Sequence, residues 1–98
     1  GSLSPKRAIL KVKEYLDVRK IKSDLLEIQQ DVKDISHDIR VINRNIKKME
    51  RELKTVGDES SKVLVKSINQ SIKHRDNLMK QKEEIRKLVR QMNKSLQK

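Results

Sequence analysis

From Val18 to Val56 the apolar residues step along the chain by threes and fours without a miss: Val18, Ile21, Leu25, Ile28, Val32, Ile35, Ile39, Ile42, Ile46, Met49, Leu53 and Val56. That spacing averages about 3.5 residues, so on an α-helix it makes a narrow stripe that drifts around the axis. The stripe stays buried only against another supercoiled helix. Holding the phase through twelve rungs constrains this part of the chain to a helix–helix seam.

Composition points the same way. Of 98 residues, 34% are apolar, 40% are charged and Tyr15 is the single aromatic. A globular domain carries about 45–50% apolar residues and more aromatics. A charged chain also suits disorder, but a disordered segment has no reason to keep a heptad phase. The sequence holds no cysteine, so nothing points to a disulfide-built secreted module. No apolar run approaches the ~20 residues that span a bilayer. The expectation is an intracellular protein, cytoplasmic or nuclear, without a membrane span. Gly1 and Ser2 resemble a tag remnant, and residues 1–4 are read as leader.

Helix breakers divide the rest. Ser4 before Pro5 is an N-cap followed by proline in the first helical position. Gly57 follows the last rung, where a left-handed residue would close a helix, and Asp58, Ser60 or Ser61 would cap the next. Past Gly57 the first grid fails, and a second seam begins on its own phase: Leu64, Ile68, Leu78, Ile85, Val89, Met92 and Leu96. Loss of phase at a Gly-Asp step predicts a long antiparallel coiled-coil hairpin, all-α, with helices over 17–56 and 59–98 and a turn at 57–58. Upstream, Ala8, Val12, Tyr15 and Val18 fall one residue short of the grid. Residues 5–16 are therefore an N-terminal helical extension, which either runs on with altered supercoil or folds back as a short third helix.

The second helix is less regular. Ser61, Ser71, Arg75 and Lys82 occupy its seam, while Val65, Ile72 and Met79 widen the apolar stripe to one side. A wider stripe serves a further helix, so these three form a candidate partner face, suited to a bundle of two hairpins or to docking on another subunit. In a hairpin turning at Gly57, residue i meets roughly residue 115 − i. Arg75 and Lys82 would then lie near Asp34 and Asp38, carboxylates that offset the cost of cations in an apolar seam.

The net charge of +11 is uneven. The turn-proximal half carries the candidate polyanion-binding residues Arg40, Arg44, Lys47, Lys48, Arg51, Lys54, Lys62, Lys66 and Lys73. With Arg75 they face four acids, leaving about +6 in that half. Base stacking, however, has only Tyr15 to use, and basic residues inside the zipper do not match a bZIP arrangement. Nothing suggests catalysis. There is no glycine-rich phosphate loop and no nucleophile elbow, and His37 and His74 fall on outward or flanking positions without the companions a metal needs. No catalytic residue, cofactor site or metal site is expected. The sequence reads as a non-enzymatic scaffold or oligomerisation module that binds another protein or itself. A basic arm for nucleic acid or an acidic protein surface is the alternative.

Overall fold

The computed structural model describes the backbone of residues 4–13 and 18–96, and the side chains of residues 4–9 and 21–94. Three helices account for nearly all of it: α1 (Pro5–Lys13), α2 (Val18–Leu53) and α3 (Asp58–Leu96). No strand occurs among the described residues. Residues 1–3 of the leader, residues 14–17 (Tyr15 among them) at the junction of the extension and the first long helix, residues 97–98, and the side chains of Val12, Val18 and Leu96 lie outside the described set.

The start of α1 follows from its cap. The Arg7 amide donates to Ser4 Oγ at 3.2 Å, and the Ala8 amide reaches the Ser4 carbonyl at 3.0 Å. Pro5 has no amide hydrogen to leave unpaired.

At the other break, Gly57 departs from its expected role. Its φ is not positive, so it is not a left-handed closing residue for α2. That helix ends earlier, at Leu53. Its last turn tightens through amide bonds from Lys54 to the Arg51 carbonyl at 3.2 Å and from Thr55 to the Glu52 carbonyl at 3.0 Å. Thr55 Oγ1 donates to that same Glu52 carbonyl at 3.1 Å. These bonds satisfy terminal carbonyls that a left-handed glycine would otherwise serve. Gly57 instead begins α3, its carbonyl accepting the Ser61 amide at 2.9 Å. Asp58 and Glu59 then occupy the first turn, where negative charge suits the amino end of a helix.

Helices of 36 and 39 residues are ~54 and ~58 Å long, and the molecule measures 61 × 22 × 16 Å. With a connection of only residues 54–57, both fit that length only by lying side by side, and α2 does pack on α3. The short α1 lies chiefly against α3 and touches α2.

The third helix decides where the core forms. Ala8 and Ile9 of α1 join Ile21, Leu25, Ile28, Ile35, Ile85 and Met92 in one buried cluster, with Val32, Ile39, Leu78, Leu88 and Val89 packed at its margin. Ile28 and Ile85 are fully enclosed. Towards the turn only Ile46 and Ile68 are buried, and Met49, Leu53 and Leu64 are half-buried. Two helices share a seam, whereas three enclose a core.

Candidate functional site

The apolar side chains separate into three environments. Ile21, Leu25, Ile28, Ile35, Ile46, Ile68, Ile85 and Met92 are buried. Val32, Ile39, Ile42, Met49, Leu53, Leu64, Leu78 and Val89 are half-buried. Val56 lies beyond the end of α2 and is 36% exposed, so the twelfth rung of the ladder does not pack as a seam residue. The helix closes before reaching it.

The polar positions on the α3 seam find different neighbours from those expected. Arg75 Nη1 donates to Asn43 Oδ1 at 3.0 Å, and its Nε contacts Asp76 Oδ1 at 3.2 Å. Asp34 accepts a bond from Gln30 Nε2 at 3.1 Å within its own helix. The meeting of residues 43 and 75, three residues beyond the expected 115 − i partner, shifts the pairing by about one helical turn. Lys82 is half-buried. Burial, and then the charges of Arg86 and Arg40, press its pKa below the ordinary lysine value, and Glu83 offsets this in part.

Asp31 is the polar residue whose environment the periodicity did not reveal; it is 2% exposed. The available signal was its place in a heptad row, Asp24, Asp31 and Asp38, each immediately before a seam residue, Leu25, Val32 or Ile39. Such flanking positions become interior when a third helix covers them.

The candidate partner face is open. Along α3, Val65 is 43% and Met79 50% exposed, with Ile72 between them half-buried. A shallow trough on this helix is lined by Lys62, Val65, Lys66, Asn69, Gln70 and Lys73. Val63 and Leu26 also stand in solvent, at 66% and 70%.

All nine candidate polyanion-binding residues, Arg40, Arg44, Lys47, Lys48, Arg51, Lys54, Lys62, Lys66 and Lys73, are exposed. They do not converge on one cleft. Arg44, Lys47, Lys48 and Arg51 line one trough on α2 with Val41 and Asn45, and Lys62, Lys66 and Lys73 line the separate one on α3. The ion pairs among described residues near this half are peripheral: Lys62 with Glu59 at 3.7 Å, and Arg75 with Asp76. Exposed pairs of this kind stabilise little.

Comparison with protein-family models, curated proteins and solved structures gives no match to this chain. Its chemistry therefore has to be read from its own surface. His37 and His74 are exposed, and no group of three His, Cys, Asp or Glu positioned to hold a metal occurs among the described residues. No described helix is long and apolar enough to cross a membrane. The surface offers an apolar stripe with lysines beside it, and bases spread over the backs of two helices.

Proposed function

We propose that the chain is a non-enzymatic scaffold module, an antiparallel coiled-coil hairpin braced by α1, which mediates protein–protein assembly within a larger complex. The stripe of exposed Val65 and Met79 with half-buried Ile72 between them carries this reading. Apolar side chains recurring every seventh residue on a rod whose own seam is already occupied are what a further helix would cover. An intracellular setting, cytoplasmic or nuclear, belongs to the same reading and agrees with the cysteine-free sequence. Cofactors have no part in it.

A second reading, a basic arm that binds nucleic acid, draws on the exposure of all nine candidate bases. Titration of a duplex RNA probe at about 50 and 200 mM salt separates the two. A scaffold is expected to bind RNA only in the non-specific range, with a Kd no tighter than about 10⁻⁶ M at physiological salt. Tighter binding that weakens by roughly a thousandfold between those salts would favour the arm and overturn the scaffold reading.

A further inference from the structure

The stripe on α3 has a charged border with the same period. Lysine follows each of its apolar residues, Val65-Lys66, Ile72-Lys73 and Met79-Lys80, and the row continues every seventh residue through Lys87 and Lys94. All five lysines are exposed. Successive members stand ~10.5 Å apart along the helix. Among the described residues no ion pair engages Lys66, Lys73 or Lys80.

We infer that this face docks an acidic amphipathic helix from another chain, laid along α3 with its apolar positions on Val65, Ile72 and Met79 and its carboxylates beside Lys66, Lys73 and Lys80. The inference rests on the assembly reading above and supplies the partner's chemistry. In helix–helix contacts the residues flanking an apolar seam select the partner through charge. Here the solvent side of the stripe carries Lys62, Lys66, Lys73 and Lys80, and the two carboxylates among them, Asp76 and Glu83, are already engaged by Arg75 and Arg90.

Charge also excludes the other occupants. A second copy would set lysine against lysine and +11 against +11, a juxtaposition that disfavours association. The chain's own acidic row is unsuited to serve in trans, since its middle member, Asp31, is already buried. A nucleic acid backbone would answer the lysines but would leave Val65 and Met79 uncovered by apolar surface, and no aromatic on the described face offers stacking.

The test uses the full chain and a synthetic helical peptide of about four heptads, with leucine every seventh residue and glutamate beside it. A peptide of identical composition in scrambled order, and a duplex RNA, are the competitors. The amphipathic peptide is expected to bind at least about tenfold more tightly than the scrambled one. Val65→Glu with Met79→Glu should remove that preference while the thermal transition stays in place, because both side chains stand in solvent. Lys66→Glu, Lys73→Glu and Lys80→Glu together should transfer the preference to a lysine-bordered version of the peptide. Equal binding of the scrambled peptide, or no peptide binding, would overturn the inference. Amphipathic binding that ignores the stripe variants would overturn this surface yet leave the assembly reading standing. RNA binding that displaces the peptide and ignores the stripe variants would overturn both.

Discussion

Gly57 and Lys82 show how single residues set the local energetics. Gly57 has a φ that any residue can adopt, and a Cβ there would meet nothing within 4 Å. Its carbonyl starts α3, the position where serine outranks glycine by a few tenths of a kcal/mol. Gly57→Ser is therefore expected to raise the melting temperature slightly, by roughly 1–4 °C. A left-handed residue would respond with a loss of about 1 kcal/mol instead. Lys82 acts in the opposite direction. Its lowered pKa means that the folded chain holds the proton less tightly than the unfolded one, so the cation costs stability at neutral pH. That cost disappears as pH rises through the lowered pKa towards the ordinary lysine range. Lys82→Met should raise the melting temperature at neutral pH. The gap between variant and parent in thermal melts should narrow as the buffer becomes alkaline. A gap that widens with pH would contradict the assigned cause. Sequence alone placed Lys82 on the seam, since the heptad grid counts positions. It paired the residue with Asp34 and Asp38, whereas the α2 charge that bears on Lys82 is Arg40. The stagger of two packed helices depends on how their side-chain ridges and grooves fit, which apolar periodicity does not encode. Nor does it encode the end of α2, which depends on the Thr55 hydroxyl and the tightened last turn.

At the scale of elements, α1 divides the molecule into a three-helix end and a two-helix end. The broken phase before Val18 showed in the sequence that residues 5–16 could not simply extend the ladder. Which way they ran was hidden, because docking depends on surfaces distant in sequence: Ala8 and Ile9 meet residues from both long helices. Ile9→Asp should detach α1 by burying an unpaired charge, at a cost of about 2–4 kcal/mol. Hydrogen exchange should then accelerate around Ile21–Ile35 and Ile85–Met92 while Ile46 and Ile68 keep their protection. Uniform acceleration along both long helices would mean that α1 braces the whole rod rather than one end. In the parent protein, amides beside half-buried Met49, Leu53 and Leu64 should exchange faster than those beside fully enclosed Ile28 and Ile85, since two helices shield less backbone than three.

For the whole molecule, both functional readings require the two long helices to lie side by side. Only then does α3 turn one face to its own seam and another to a partner, and only then do the bases of α2 and α3 gather at one end. The most direct measurement is a distance between spin labels at Lys22 and Lys94, both exposed and set on α2 and α3. A rod 61 Å long and 22 Å wide places them at one end, so a narrow distribution near or below about 25 Å is expected, little more than two helix diameters. A continuous helix would separate them by ~108 Å, and any distribution centred beyond about 50 Å, the length of most of one long helix, would contradict the folded-back arrangement.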